Sequence, residues 1–287
     1  MNKILKSVFI PIKQNTHPGI EEDMSPKPIY DNKDYIATGK LKDKVAIITG
    51  GDSGIGRAVS VLYAKEGAKV AIVYLKEDVD AIKTKSEIEN YGGECILIRS
   101  DIANPKNCVK IIKTVASEWG KINILVNNAA VQHQTKSLNH ISNFQMERTF
   151  KINIFSMFYL TKAALKFLNK GDCIINTGSV VAYKGHKNLI DYSSTKGSIV
   201  TFTRSLALSL AEKGIRVNCV APGPIWTPLT VSTFKGLKLG LFGKQTPLKR
   251  AGQPVEVAPA YLFLACDDSS YISGETIHIN GGEIVNG

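Results

Sequence analysis

Along most of the chain, short uninterrupted apolar runs alternate with longer stretches in which apolar residues recur every three or four positions. The first run, Val45-Ala46-Ile47-Ile48, is too short for a helix and rich in β-branched residues, so it predicts a strand. Behind it Ile55, Val59 and Leu62 fall on one helical face up to Gly67. The pattern then repeats. It predicts strands over 44–49, 69–74, 94–98, 122–126, 172–177, 215–220 and 276–279. It predicts helices over 54–66, 79–91, 105–119, 191–213 and 254–265, and a long helical region within 142–168. Gly67, Gly92, Gly120, Gly171 and Gly214 each close a helical run shortly before the next strand. Strands that are apolar throughout, each followed by a helix, specify a parallel sheet covered on both faces. The fold class is therefore α/β, a single doubly wound domain on a seven-stranded parallel sheet.

Two segments depart from the alternation. Residues 1–40 hold Pro11, Pro18, Pro26 and Pro28, mixed charge and little periodicity. They predict an extended arm, disordered or draped over a neighbour, ahead of a domain spanning 41–287. The stretch from Trp226 to Pro247 follows the sixth strand and predicts a mobile lid over 226–247. Phe234, Leu237 and Leu241 recur there at helical spacing, which predicts an apolar face over a pocket with Lys235 and Lys238 turned outward.

Composition narrows the function classes. Apolar content of 44% and charged content of 21% are those of a soluble globular protein, and no stretch is apolar enough to span a membrane. The opening MNKILKSVFIPIK has its apolar run broken by Lys6 and lacks a cleavage site, so no secretory signal is expected. Five scattered cysteines without a C-x-x-C pair predict neither disulfides nor zinc and fit a reducing cytoplasm. The five histidines lack metal-type spacing. The net charge of +11 raises nucleic acid as a partner, but no dense basic run interleaved with aromatics supports it. Eleven Lys/Arg stand against two acids between Lys184 and Arg250, which reads as a solvated, solubilising surface.

In doubly wound folds ligands sit beyond the carboxyl ends of the strands. The first strand runs into a turn with Gly50, Gly54 and Gly56 and then into a helix, whose exposed N–H groups and dipole suit a pyrophosphate. The third ends in Ser100-Asp101-Ile102, where the aspartate can accept from an adenine amine. The fourth ends in Asn127-Asn128-Ala129-Ala130, small and polar, suiting a ribose. The fifth and sixth end in Thr177-Gly178-Ser179 and Ala221-Pro222-Gly223-Pro224-Ile225. Tyr192 and Lys196, four apart, share one helix face. A cation held there is expected to lower the phenol's pKa, making the tyrosine an acid/base for an alcohol or carbonyl.

Thr49-Gly50-x-x-x-Gly54-Ile55-Gly56, Asn127-Asn128-Ala129-Ala130, Asn153, Ser179, Tyr192-x-x-x-Lys196 and Pro222-Gly223 together resemble the short-chain dehydrogenase/reductase family over residues 41–287. The arm and the turn Gly50-Gly51-Asp52-Ser53-Gly54-Ile55-Gly56 are similar, more narrowly, to a bacterial branch that includes aldehyde and glucose dehydrogenases. The resemblance implies a Rossmann-like fold and an NAD(P)-dependent oxidoreductase interconverting an alcohol and an aldehyde or ketone. It implies Tyr192 as general acid/base, Lys196 holding the nicotinamide ribose, Ser179 on the substrate oxygen and Asn153 holding a water that relays protons. It implies cofactor contacts from Gly50, Asp52, Ser53, Gly54, Ile55, Gly56, Tyr74, Leu75, Asp101, Ile102, Asn127, Ala129, Tyr192, Lys196, Pro222, Gly223, Ile225 and Thr227. It also implies a homotetramer built through the helices at 142–168 and 191–213.

The cofactor reads as NAD(H) or NADP(H), leaning to NAD(H). Lys76 could meet a 2′-phosphate at the end of the second strand, but Asp52 in the glycine turn should oppose one. The apolar lid face predicts a small carbonyl or alcohol substrate that is not strongly anionic, with Gln132, His133, Val181, Tyr183 and His186 bordering the pocket. The alternative, a nucleotide-binding regulator of the same fold without catalysis, would be marked by a missing Tyr, Lys or Ser, and all three are present.

Overall fold

The computed structural model describes residues 14–285; residues 1–13 and 286–287, with the start of the expected arm and the stretch tested for a secretory signal, lie outside it. The seven strands are β1 (Val45–Thr49), β2 (Lys69–Tyr74), β3 (Cys95–Arg99), β4 (Ile124–Asn127), β5 (Cys173–Thr177), β6 (Arg216–Pro222) and β7 (Thr276–Ile279). They form one parallel sheet in the order β3-β2-β1-β4-β5-β6-β7. The helices are α1 (Gly54–Lys65), α2 (Asp78–Asn90), α3 (Pro105–Trp119), α4 (Asn143–Phe150), α5 (Ser156–Ala164), α6 (Val181–Lys184), α7 (Ile190–Leu210), α8 (Pro228–Thr233), α9 (Leu237–Gly240) and α10 (Pro254–Ala265).

The apolar strands are explained by what covers them. Ala46 and Ile48 of β1 pack with Val59 and Tyr63 of α1, Ile88 of α2 and Tyr261 and Leu264 of α10. Val45 and Ile47 point the other way, into a core with Ile111 and Ile112 of α3, Leu160 of α5 and Leu210 of α7. Both faces are buried, so every position in β1 is apolar or, at Thr49, bonded. The chain reverses its direction across the sheet between β1 and β4, and the crevice beyond their carboxyl ends opens there.

Three elements differ from the sequence reading. The helical region at 142–168 is interrupted by a π-helical turn at Lys151–Phe155, between α4 and α5. The lid is two short helices rather than one: Phe234 is extended and Gly236 takes φ +53°, which breaks the helical register. Leu237 consequently stands 77% exposed, and the buried apolar anchor of the lid is Leu239, packed with Trp226, Val231, Ala251 and Met24.

Met24 belongs to the arm, and residues 14–40 lie on their own chain. The Gln14 N–H donates to the Val231 carbonyl at 3.2 Å and the Trp226 indole to the Pro26 carbonyl at 2.8 Å. Ile29 N–H donates to Gln253 Oε1 at 2.9 Å, and the Tyr30 ring lies under the Arg57 guanidinium. The segment adds little periodicity but supplies the apolar and acidic groups that Trp226 and Arg57 need.

Candidate functional site

The crevice is tied at its base by one threonine. The Thr49 hydroxyl donates to the Val126 carbonyl at 3.3 Å and accepts from the N–H groups of Asn128 and Ala129 at 2.9 and 3.1 Å. The Asn128 amide donates to the Thr49 carbonyl at 3.0 Å, so β1 and β4 end in a single bonded corner. From there the glycine turn enters α1. A Cβ on Gly56 would stand 1.8 Å from the Gly50 carbonyl oxygen, so only glycine lets turn and helix touch. Ser53 precedes α1 without a side-chain cap, and the helix N-terminus faces a cleft lined by Gly50, Asp52, Ser53, Gly54 and Ile55.

The same cleft of about 160 Å³ is lined by Tyr74, Leu75, Asp101, Ile102 and Ala129. A second cavity of about 740 Å³ is lined by Ser179, Tyr192, Lys196, Pro222, Gly223, Ile225 and Thr227, and it shares Ile55, Asn128, Ala130, Thr227 and Leu229 with the first. Two predicted contacts lie elsewhere. Gly56 sits under the turn, and Asn127 sends its side chain into the sheet, where its amide donates to Asn176 Oδ1 at 2.9 Å. Asn128 lines both cavities instead, and alternation along a strand places neighbours on opposite sides. Arg148 and Pro18 also line the cleft; sequence reasoning named neither, since one comes from the interrupted helix and the other from the arm. Arg148 pairs with the Asp101 carboxylate at 2.9 Å.

Tyr192 and Ser179 meet. Both are buried, they face the larger cavity, and the Ser179 hydroxyl is close enough to act on the phenol. The phenol does not behave as the sequence suggested. Burial pushes it up to about 12, with only the Ser179 hydroxyl opposing. Lys196 does not offset that burial. Its Nζ donates to the Thr177 carbonyl at 2.7 Å and stands 5.4 Å from the tyrosine ring centre, and burial pulls it down to about 8. Asn153, fully buried, accepts from the Val131 N–H at 2.9 Å and donates to the Val131 carbonyl and Thr195 Oγ1 at 2.9 and 3.1 Å. That leaves its amide one lone pair for a water and ties the strand-end loop to α7. Asp191, buried, accepts from Gln145 and Thr149 at 3.0 Å and fixes the same helix beside Tyr192.

The pocket walls also differ in part. Gln132, Val181 and His186 line the larger cavity, whereas the Tyr183 ring packs on His278 and the His133 ring on His17. Phe234 and Leu241 face the cavity as expected, but so does Lys238, because the break at Gly236 rotates the lid helix. Lys184 and Glu283, which form an ion pair, lie at the same cavity.

Residues 50–283 match the family profile described as enoyl-(acyl carrier protein) reductase. An uncharacterized oxidoreductase of Bacillus subtilis is 56% identical over 98% of each chain. An NADPH-dependent aldehyde reductase 1, chloroplastic, of Arabidopsis thaliana is 50% identical over 96% of this chain and 98% of its own. A short-chain dehydrogenase of Burkholderia cenocepacia, solved in complex with NADP, superposes with a TM-score of 0.81 at 30% identity, over 85% of this chain and 99% of that one. The chain belongs to the short-chain dehydrogenase/reductase family. It is an NAD(P)-dependent oxidoreductase that interconverts an alcohol and an aldehyde or ketone.

Within this family fold the glycine turn, the strand-end corner and the cleft between Tyr74 and Asp101 fit a nicotinamide dinucleotide, since a side chain at Gly56 would fill the space beneath the turn. The lean toward NAD(H) finds no support in the comparisons, one of which is a structure in complex with NADP. It rested on Asp52 repelling a 2′-phosphate, but burial and the nearby Glu77 and Asp80 push that carboxyl up to about 7. No group of three or more His, Cys, Asp or Glu able to hold a metal occurs among the described residues. No helix among them is long and apolar enough to cross a membrane.

Proposed function

We propose that this protein is an NADP(H)-dependent reductase of small aldehydes or ketones, with Tyr192 as the proton donor. One observation carries the reading: Tyr192, Ser179 and Lys196 line one cavity whose wall is shared with the dinucleotide cleft. The dinucleotide supplies the hydride. Ser179 donates to the carbonyl oxygen and steadies the charge that grows on it. Tyr192, uncharged at neutral pH, gives its proton to the same oxygen. Lys196 holds positive charge near the phenol and offers its ammonium to ribose hydroxyls, while Asn153 keeps the strand-end loop against α7.

Three supports favour NADP(H). Asp52 is only partly charged at neutral pH, Lys76 is exposed at the end of β2, and a relative and a solved neighbour carry that cofactor in their names. Glu77, which lines the cleft, is the observation that favours NAD(H). The test is Tyr192→Phe, assayed with NADPH and NADH and a panel of aldehydes. Turnover should drop by about 10²–10⁴ with cofactor affinity kept within threefold. Unchanged turnover, or a tenfold preference for NADH in the wild type, overturns the respective half of the reading.

A homotetramer is proposed through α5 and α7, where Phe158 and Phe202 pair at 4.3 Å and where Phe158 and Leu208 are exposed. A cytoplasmic location is proposed because all five thiols are free and buried.

A further inference from the structure

The N-terminal arm does more than cover a surface. Glu21 is 2% exposed, and its Oε2 accepts the Gly54 N–H at 2.6 Å. Gly54 opens α1 at φ +52°, inside the turn that faces the dinucleotide cleft. An N–H in a helix's first turn has no acceptor within the helix, so an outside group decides where it points. Here that group comes from 33 residues upstream.

The carboxylate is itself held. Its Oε1 pairs with Arg57 Nη1, and the Glu21 N–H donates to Asp80 Oδ2 at 2.7 Å. Arg57 continues the path: Nη2 stands 3.3 Å from Asp80 Oδ1, and Nε donates to the Asp52 carbonyl at 3.0 Å and to Thr84 Oγ1 at 2.7 Å. The turn is thus gripped at Asp52 and Gly54 by one buried network in which the acceptor for the Gly54 N–H, Glu21, comes from the arm. On the other side the arm meets the lid. Pro18 lines the dinucleotide cleft, and a Cβ on Gly19 would stand 2.7 Å from the Pro228 carbonyl oxygen. Gln14 bonds the Val231 carbonyl. Gly54, Thr227 and Pro228 are walls of the same cleft, so residues 14–21 bridge its two sides.

We infer that Glu21 is a positioning residue for dinucleotide binding: it fixes the Gly54 end of the phosphate turn and joins that turn to the lid through the arm. The inference rests on the reading of this cleft as the NADP(H) site. Removing the acceptor frees the Gly54 amide to rotate and lets the turn sample geometries that do not cradle a pyrophosphate. Cofactor affinity then falls while the reacting groups at Ser179 and Tyr192, in the other cavity, stay as they are.

The full chain is compared with Glu21→Leu, which keeps the volume and removes the acceptor, and Glu21→Gln, which keeps an acceptor oxygen. NADPH binding is read from its fluorescence, and KM and kcat from aldehyde reduction. Glu21→Leu should raise both Kd and KM for NADPH at least tenfold, with kcat at saturating NADPH falling less than threefold. Glu21→Gln should return Kd to within threefold of wild type. The Gly54 amide of the wild-type protein, without added cofactor, should exchange with solvent as slowly as the interior of α1. A folded Glu21→Leu with Kd within twofold of wild type overturns the inference, as does a Glu21→Gln that binds as weakly as Glu21→Leu. Fast exchange at Gly54 also overturns it, and that measurement decides if Glu21→Leu does not fold. Wild-type protein that binds neither NADPH nor NADH would instead overturn the reading of the cleft.

Discussion

Lys196 Nζ donates to the Thr177 carbonyl at 2.7 Å and lies 5.4 Å from the ring centre of Tyr192, so strand β5 rather than the phenol holds the ammonium. Burial acts on both groups in the direction that removes charge, raising the tyrosine to about 12 and lowering the lysine to about 8. Near neutral pH the pair is therefore an uncharged phenol beside a charged ammonium. That is the protonation state a carbonyl reductase needs at the start of its cycle.

The pH dependence of reduction follows. Tyr192 keeps its proton throughout the working range, so at saturating cofactor, where Asp52 in the dinucleotide turn no longer limits binding, the group beside the substrate that titrates is Lys196. Its ammonium is present below about 8 and lost above it. The rate of carbonyl reduction should be flat from about pH 6 to 7.5 and fall as pH passes about 8, and Lys196→Met should lower the plateau and remove the fall. A wild-type profile that stays flat to about pH 10 would place the charge elsewhere.

Asp52 gives a stability prediction with a definite sign. Its folded carboxyl titrates near 7 because it is buried beside Glu77 and Asp80, whereas in the unfolded chain it titrates near 3.9. Between those values the folded protein holds a proton that the unfolded chain has released, so stability drains away as pH rises through this window. Asp52→Asn, which carries no charge, should raise Tm by about 3 °C or more at pH 8 and change it little at pH 4. Equal shifts at the two pH values in a thermal melt would contradict this.

Met24 tests whether the arm is integral to the fold. It is 3% exposed against Trp226, Val231 and Leu239, so Met24→Ala leaves a cavity where arm and lid meet. The expected cost is about 2–4 kcal/mol, with faster cleavage by protease within residues 14–40. A variant whose Tm and cleavage rate match wild type would mean that the arm is only laid over the surface.

The body of the fold was legible because its physics is local and repetitive. The strand over 69–74 and the helices over 105–119 and 254–265 were read to the residue, since strands buried on both faces are apolar throughout and glycine marks the helix ends. Tyr192, Lys196 and Ser179 were legible as a set because one helix and one strand end place them. What could not be read depends on distant partners. Glu21 looks like any solvated acid until Arg57 and Gly54 arrive beside it, and Met24 has no apolar neighbour in sequence to announce its burial. The direction of the tyrosine's pKa was misread for a similar reason. Helical spacing puts Lys196 on the right face, but its ammonium donates to the carbonyl of Thr177, 19 residues away, and burial decides the phenol.

The docking of the arm separates the moment a segment is made from the moment it can be seated. Ile29 hydrogen-bonds Gln253, which leaves the ribosome 224 residues later. At about 5–20 residues per second that interval is roughly 10–45 s, during which this contact of the arm cannot form. Glu21, by contrast, meets Gly54, Arg57 and Asp80, all made within 59 residues of it, so the grip on the phosphate turn can form long before the arm is seated against the lid. One segment is thus fastened in two stages, its Glu21 end early and its Ile29 end late.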